Sequence, residues 1–308
     1  MSRGDEPAPE STPVDTAAPP AGGAPAAALA APPCVVRSRG ELAEALAASP
    51  RPLGLVPTMG WLHAGHRSLI ARARAECATV AVSIFVNPRQ FGDPADLAKY
   101  PRSESRDLAI CADEGADLVW APDVADVYPP GFDTSVRVGA LARPLEGAAR
   151  PGHFEGVTTV VAVLFGLVRP DRAYFGAKDA QQLRVITRMA TDLALTSVVP
   201  CPTVRELDGL ALSSRNVHLS PAERAAAPVL HRALLAGRAR HAAGERDAEA
   251  IRAAVREVLA TEPLARVEYV SLADDATLAE LQRVEGPALL SLAVRFGATR
   301  LIDNLSLA

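Results

Sequence analysis

The chain has 308 residues, 49% of them hydrophobic and 22% charged, which is enough apolar sequence for one large domain or two smaller ones. A formal net charge of −4, and the lack of an apolar run of bilayer length, argue against a nucleic-acid-binding or membrane protein. The four cysteines are widely spaced and form no CxxC pair, so we expect reduced thiols in a cytoplasmic protein rather than a disulfide framework or a zinc site.

The first 33 residues are rich in Ala, Pro and Gly and contain almost no large apolar side chains. Such a segment cannot bury enough surface to offset the loss of chain entropy, so we predict a disordered tail over residues 1–33. A signal peptide does not fit, because acidic residues precede the Ala-rich patch and prolines interrupt it.

From residue 34 to residue 204, apolar strand-like runs alternate with helix-like ones. The sequence predicts strands at 53–56, 79–86, 117–121, 172–175 and 197–199, and helices at 41–48, 63–76, 103–114, 157–168 and 179–193. This alternation is typical of a Rossmann-like, doubly wound parallel sheet, whose ligands bind beyond the carboxyl ends of its strands.

After residue 204 the pattern changes, and we predict a smaller α+β domain over residues 205–308. Ser220 and Glu223 form a capping box with Pro221 at the first helical position, which predicts the start of a long helix. A second helix at 247–260 precedes predicted strands at 267–272, 288–294 and 300–302, which would form a small separate sheet.

The segment PTMGWLHAGH, residues 57–66, contains two histidines at the predicted start of a helix. His63 and His66 are three residues apart and therefore lie on one face of the first turn. The free N–H groups and positive dipole end of a helix suit a polyphosphate, and an imidazole whose pKa is lowered there still donates one hydrogen bond. A bare HxxH is more often a pair of surface histidines, but the preceding strand and turn favour phosphate binding. Gly65 leaves room for a nucleotide.

Polar side chains also follow other predicted strands. Asn87 and Gln90 come just after the strand at 79–86, where amides can recognise a hydroxyl and a carboxylate, although loop capping is the alternative. Lys178 lies at a strand-to-helix junction and suits triphosphate. Asp179 and Gln182, in contrast, have the spacing of a capping box that needs no substrate.

Two further segments are turns. DGLALSSRN, residues 208–216, follows the predicted boundary, and its Ser-Ser-Arg-Asn run offers a dense set of donors on a loop that could close over phosphates. RPGHFEGV, residues 150–157, is a Gly-bracketed turn leading into the helix predicted at 157–168. His153 in this turn would support the site rather than touch substrate.

HAGH resembles the HxGH signature of the nucleotidyltransferase and class I aminoacyl-tRNA synthetase superfamily. Together with FVNPRQF (85–91), YPR (100–102), RPGHFEGV, GAKDAQQ (176–182) and DGLALSSRN, the segment PTMGWLHAGH resembles the pantothenate synthetase family. The resemblance implies an ATP-dependent condensation of pantoate with β-alanine through a pantoyl-adenylate, giving pantothenate, AMP and pyrophosphate. It also implies Mg²⁺ and a homodimer.

The resemblance assigns roles to individual residues. The catalytic residues would be His63, His66, Lys178 and Arg215, with His66 the most rate-critical imidazole. ATP would be bound by Met59, Gly60, His63, Gly65, His66, Gly176, Lys178, Asp179, Val204, Leu212, Ser213, Ser214 and Arg215. Pantoate and β-alanine would be bound by Asn87, Gln90, Tyr100 and Gln182, and no residue is assigned to Mg²⁺. Two positions depart from the family pattern, Arg89 in place of Met and Ala177 in place of Glu or Gln.

Two other functions remain open at this point. HAGH alone would permit a plain nucleotidyltransferase, which needs no amine substrate. Arg89 and Ala177 leave room for a catalytically idle ATP-binding module. Exchange of pyrophosphate into ATP that depends on pantoate would separate a ligase from the nucleotidyltransferase. Full loss of AMP release with pantoate and β-alanine present would support the idle module.

Overall fold

The computed structural model describes Met1 and residues 32–307, so residues 2–31 of the predicted tail lie outside the described part of the chain. The described residues 32–307 lie in one compact unit. This unit contains two sheets, each with its own hydrophobic core. A domain boundary at residue 204 stays a prediction.

The first sheet has six strands, all parallel, in the order β1-β4-β3-β2-β5-β6. Their bounds are β1 Cys34–Val36, β2 Leu53–Thr58, β3 Thr79–Ile84, β4 Leu118–Trp120, β5 Arg172–Gly176 and β6 Ser197–Cys201. The chain runs from β2 outward through β3 and β4 on one side and through β5 and β6 on the other. The strand order therefore reverses between β2 and β5, and a ligand crevice is expected at this point. The predicted Rossmann-like sheet is confirmed.

Helices cover both faces of this sheet, which explains its nearly continuous apolar strands. Leu53 and Leu55 of β2 pack in one core and Val56 packs in the other, as alternation along a strand requires. In the described residues the helices are α1 Arg39–Ala47, α2 Ala64–Glu76, α3 Pro94–Lys99, α4 Glu104–Asp113, α5 Val124–Val127, α6 Glu146–Ala149, α7 His153–Val168, α8 Ala180–Asp192, α9 Pro221–Ala226, α10 Val229–Ala242 and α11 Ala248–Leu259. Short 3₁₀ turns cover Pro88–Gln90, Ala140–Ala142, Ala177–Asp179 and Ser214–His218.

The second sheet is antiparallel, with β7 Arg266–Asp274, β8 Ala288–Phe296 and β9 Thr299–Leu307 in the order β7-β8-β9. One face packs against α10 and α11 through residues such as Leu290 and Leu292. On the other face, Leu289 packs against Ala180 at the start of α8. The second sheet therefore contacts the first half of the chain close to Lys178.

Two predicted helix boundaries were wrong. The single long helix expected from Ser220 is divided into α9 and α10 at Pro228, which has no N–H to continue the hydrogen-bond ladder. Helix α7 begins at His153, four residues before the predicted start, because Gly152 adopts φ 80° and turns the chain directly into it. None of the helices in residues 32–307 is both long and apolar enough to cross a bilayer.

Candidate active site

A cavity of about 240 Å³ opens beyond the carboxyl ends of β2, β3, β5 and β6, next to the point where the strand order reverses. Its apolar wall comes from α7, through Val157, Val160, Val161 and Leu164. Its polar wall comes from the segments that follow the four strands. Asp179 is the only carboxylate among the described residues that line it.

The two histidines after β2 cap their own helix. His63 precedes α2, and its Nδ1 accepts from the backbone N–H of Gly65 at 3.1 Å. His66 Nδ1 accepts from the backbone N–H of His63 at 3.3 Å. Because both Nδ1 atoms act as acceptors, each neutral ring carries its proton on Nε2, where it can donate to a ligand. Gly65 is required here, since a Cβ would lie 2.9 Å from the His63 ring.

Both imidazoles are neutral at physiological pH. Burial, reinforced by the nearby charge of Lys178, lowers the pKa of His63 to about 4. Burial beside His63 lowers the pKa of His66 to about 3. The sequence predicted the direction of these shifts, but it attributed them to the helix end, whereas burial is the larger cause. Such rings stabilise phosphate as hydrogen-bond donors and not as cations.

Asp107 on α4 holds the turn between β2 and α2 in place, and the sequence analysis missed it. Its carboxylate is 1% exposed and accepts from the backbone N–H groups of Trp61 at 2.8 Å and Leu62 at 2.7 Å. Gly60 adopts φ +79°, and a Cβ there would lie 2.9 Å from the Asp107 carboxylate. The only available signal was an acidic residue on the apolar side of a predicted helix.

The amides after β3 form an oriented pair. Asn87 is buried; its Nδ2 donates to Gln90 Oε1 at 3.0 Å, and its Oδ1 accepts from the Tyr128 hydroxyl at 2.8 Å. Gln90 Nε2, which contacts Met59 Sδ at 3.0 Å, is therefore the end of this amide that can donate to a ligand. Arg89 does not line the cavity; its guanidinium stacks on the rings of Tyr128 and Phe132 at 4.7 and 4.8 Å.

Helix α7 packs against the loop that carries the Asn87 and Gln90 amides and holds it in place. A Cβ on Gly156 would lie 2.2 Å from the carbonyl oxygen of Arg89, so only glycine permits this approach. His153 Nδ1 donates to the carbonyl oxygen of Gln90 at 2.9 Å, and its Nε2 accepts from Arg150 at 3.1 Å. His153 thus holds the loop that carries Gln90.

Lys178 and Asp179 follow β5. The Lys178 ammonium is largely buried and lies 3.4 Å from the Asp179 carboxylate. Although Asp179 occupies the cap position of α8, its side chain makes no capping hydrogen bond, so the capping-box interpretation of Asp179 and Gln182 was wrong. Burial by itself would raise the pKa of Asp179, but the charges of Lys178 and Arg215 hold it below its usual value.

The terminal strand β9 links two parts of the cavity wall. Asn304 Nδ2 donates to the carbonyl oxygens of Ala177 at 3.1 Å and Lys178 at 2.8 Å. Its neighbour Asp303 accepts from both terminal nitrogens of Arg205, at 2.6 and 2.9 Å. Arg205 begins the hairpin that leads to Ser213, Ser214 and Arg215.

The structure brings together all the residues predicted to bind ATP or the other substrates except Gly60, which shapes the turn without lining the cavity. The cavity lining includes Met59, His63, Gly65, His66, Asn87, Gln90, Tyr100, Gly176, Lys178, Asp179, Gln182, Val204, Leu212, Ser213, Ser214 and Arg215. Asp107, Asp303 and Asn304 were not predicted, because their roles depend on contacts distant in sequence.

Comparison with known sequences gives a family. The model of the pantoate-β-alanine ligase family matches residues 35–306. The pantothenate synthetase of Roseiflexus sp. strain RS-1 is 60% identical over 271 residues, which are 88% of this chain and 98% of that protein. The pantothenate synthetase of Chloroflexus aggregans is 60% identical over 255 residues, covering 82% of this chain and 92% of that one.

Solved structures agree with this result. A crystal structure of pantothenate synthetase from Thermus thermophilus superimposes with a TM-score of 0.84 and 50% identity, covering 88% of this chain and 98% of that one. A pantoate-β-alanine ligase from Francisella tularensis, crystallised with β,γ-ATP and β-alanine, gives a TM-score of 0.72 and 32% identity, covering 89% and 97%.

Proposed function

The chain belongs to the pantoate–β-alanine ligase family and joins pantoate to β-alanine, and we propose that it does so through a pantoyl-adenylate formed in the cavity described above. The observation that carries this proposal is the pair of Nε2–H donors of His63 and His66, which face the same cavity as Lys178. In the first half-reaction, a pantoate carboxylate oxygen attacks the α-phosphorus of ATP, and the bond to the bridging oxygen breaks to release pyrophosphate.

The transition state of this step gains negative charge on the phosphate oxygens. His63 and His66 donate hydrogen bonds from one wall, and Lys178 supplies a buried positive charge from another. Ser213, Ser214 and Arg215 add donors from the loop after β6. Because the fold holds His63, His66 and Lys178 before ATP binds, these three groups need little reorganisation during reaction.

Pantoate would bind on the side of the cavity that faces away from the phosphate donors, against the apolar wall formed by α7. Gln90 Nε2 and Gln182 would donate to its carboxylate and hydroxyl oxygens, while Val157 and Val160 would contact its methyl groups. This arrangement holds the carboxylate in line with the phosphate, and such positioning lowers the activation barrier. Tyr100 and Asn87 complete this part of the cavity.

Mg²⁺ fits this site as a companion of the phosphates. No cluster of three metal-binding side chains is present among the described residues, and Asp179 is the only carboxylate lining the described cavity. A hard cation that keeps several waters and binds phosphate oxygens needs no more than this. When bound, it would neutralise charge on the triphosphate, with Asp179 the residue placed to approach it.

In the second half-reaction the amine nitrogen of β-alanine attacks the acyl carbon of the adenylate. A C–N bond forms, the C–O bond to the phosphate breaks, AMP leaves with the electron pair, and the nitrogen loses a proton. Closure of the loop with Ser213 would keep water from the adenylate. We also expect a homodimer, as the family resemblance implies, and a cytoplasmic protein, as the widely spaced cysteines indicate.

The deciding experiment measures AMP release with ATP, Mg²⁺, pantoate and β-alanine, each omitted in turn, together with pyrophosphate exchange into ATP. We expect exchange that requires pantoate alone, and AMP release in multiple turnovers that requires both pantoate and β-alanine. Nucleotide transfer without an amine would indicate a plain nucleotidyltransferase. Complete inactivity of a folded, ATP-binding protein would indicate an idle module.

A further inference from the structure

Tyr128 follows helix α5 and does not line the cavity, but its hydroxyl contacts the amide pair that does. The hydroxyl donates to Asn87 Oδ1 at 2.8 Å. Burial raises the pKa of Tyr128 to about 12, although the charge of Arg89 opposes this shift. The hydroxyl therefore keeps its proton at neutral pH and remains a hydrogen-bond donor to Asn87.

Asn87 is 1% exposed, and both polar atoms of its amide have two partners. Its Oδ1 accepts from the Tyr128 hydroxyl and from the backbone N–H of Arg89, the latter at 3.2 Å. Its Nδ2 donates to the carbonyl oxygen of Gly156 at 3.1 Å and to Gln90 Oε1 at 3.0 Å. A half-turn of this amide would place its NH2 group against the N–H of Arg89 and its oxygen against the carbonyl of Gly156. The orientation of the Asn87 amide is therefore fixed.

The orientation of Asn87 decides which end of the Gln90 side chain faces the cavity. Gln90 Oε1 is held by Asn87 Nδ2, so the Nε2 donor is the end left for a ligand. A donor recognises an acceptor such as a carboxylate or hydroxyl oxygen, whereas the amide oxygen would repel a carboxylate. The backbone of Gln90 is held separately, by His153 Nδ1 on its carbonyl oxygen. The contact between Tyr128 and Asn87 therefore bears on the Gln90 side chain in particular.

The ring of Tyr128 is itself held by its neighbours. The Arg89 guanidinium lies 4.7 Å from the centroid of this ring and 4.8 Å from that of Phe132, and it donates to the carbonyl oxygen of Thr134 at 3.1 Å. Phe132 and Phe85 pack edge-to-face with Tyr128, at centroid distances of 5.1 and 6.1 Å. A ring packed by a cation and two aromatic side chains keeps its hydroxyl in one place.

We propose that Tyr128 is a positioning residue for the acid substrate, acting through Asn87 to keep Gln90 in the orientation that donates to pantoate. This assignment rests on the ligase function. Tyr128 lies outside the cavity lining and is therefore not a catalytic residue. Its hydroxyl acts on pantoate binding, and the groups that bind ATP are held by other contacts. Arg89, one of the two departures from the family pattern, supports this residue from outside the cavity.

The test uses Tyr128→Phe in the full-length protein, because this change removes the hydroxyl and keeps the ring. KM for pantoate, measured by pyrophosphate exchange into ATP, is expected to rise about five- to tenfold, since a buried acceptor loses one of its two partners. KM for ATP, and KM for β-alanine in AMP release, should stay within about twofold of wild type.

Thr196→Val is the matched control. The Thr196 hydroxyl also makes one hydrogen bond of 2.8 Å, to the carbonyl oxygen of Pro170, and neither residue lines the cavity. Valine has nearly the same shape, so the variant loses a comparable contact elsewhere in the fold. All three KM values should match those of wild type.

A double-mutant cycle separates positioning from a general loss of structure. Gln90→Ala should raise KM for pantoate by itself. Adding Tyr128→Phe to Gln90→Ala should then change this KM by less than about twofold, because the residue through which Tyr128 acts is already gone. A general structural effect would instead multiply the two increases.

Arg89→Ala provides a second variant should Tyr128→Phe not fold. It leaves the hydroxyl in place but removes the cation stacked on the ring, and KM for pantoate is expected to rise about two- to threefold.

An unchanged KM for pantoate in Tyr128→Phe, or in Arg89→Ala if the former does not fold, would overturn the proposal. So would equal increases for all three substrates, or increases that multiply in the Gln90→Ala background. Absence of pantoate-dependent exchange in the wild-type protein would overturn the ligase function itself, and that result is distinct from these outcomes.

Discussion

The histidine turn after β2 and the Ser213–Arg215 loop line the same cavity, but they are held in different ways. The histidine turn is supported locally, by its own capping hydrogen bonds and by Asp107 from the neighbouring helix. The Ser213–Arg215 loop is supported from the distant strand β9, where Asp303 accepts from Arg205 at the start of the hairpin that leads to the loop. One wall is thus built into the parallel sheet, and the other is supported from the second sheet, an arrangement that suits the loop closure proposed above.

The most direct test of the histidine turn after β2 is His66→Ala. If the Nε2–H of His66 stabilises the transition state, kcat should fall by at least about 100-fold. Steady-state AMP release measures this effect. His241→Ala, on α10 and outside the cavity lining, is the control and should retain activity. A near-normal kcat for His66→Ala would remove His66 from the chemistry.

The contact between Asp107 and the histidine turn is tested by Asp107→Asn. An asparagine offers one acceptor where two backbone N–H groups need one each, so the free energy of unfolding should fall by about 1–3 kcal/mol, with a several-fold loss of kcat. Chemical denaturation and AMP release give the two values. Asp113→Asn removes an exposed carboxylate on the same helix and should change neither. Full activity of Asp107→Asn would mean that the turn holds its shape without this residue.

The support that β9 gives to the segment around Lys178 is tested by Asn304→Ala. Loss of two hydrogen bonds to the carbonyls of residues 177 and 178 should loosen Lys178 and lower kcat/KM for ATP about tenfold, while KM for β-alanine changes little. Ser306→Ala, an exposed position on the same strand, is the control. Equal losses for every substrate would indicate general destabilisation and not a role in ATP binding.

The smallest expected effect concerns pH. His63, His66 and His153 have folded-state pKa values of about 4, 3 and 4, below their ordinary value of 6.5. The unfolded chain therefore takes up protons first as pH falls, so stability is complete above pH 6.5 and is lost progressively toward pH 4. His66→Ala should flatten this slope, as measured by urea unfolding between pH 7 and pH 4.5. An unchanged slope would mean that His66 is not buried as a neutral ring.

The sequence was most informative where a function depends on neighbouring residues. Repeated strand–helix alternation predicted the parallel sheet, and the junctions after its strands predicted part of the cavity lining, such as His66 and Lys178. Other lining residues, such as Val204, were expected only from the family resemblance. It failed where the structure depends on distant contacts. Asp179 has the spacing of a helix cap, yet its position beside Lys178 leaves its side chain out of the cap. The sequence could not say where the guanidinium of Arg89 lies, because two aromatic rings distant in sequence hold it outside the cavity.

The contacts of β9 have a consequence for folding. Asn304 is separated from Lys178 by 126 residues and Asp303 from Arg205 by 98, so both contacts close long loops and are expected to form slowly. A chain whose parallel sheet has already formed would still lack a complete nucleotide site until β9 pairs with β8. Tight ATP binding in a refolding experiment would therefore report the end of folding and not its beginning.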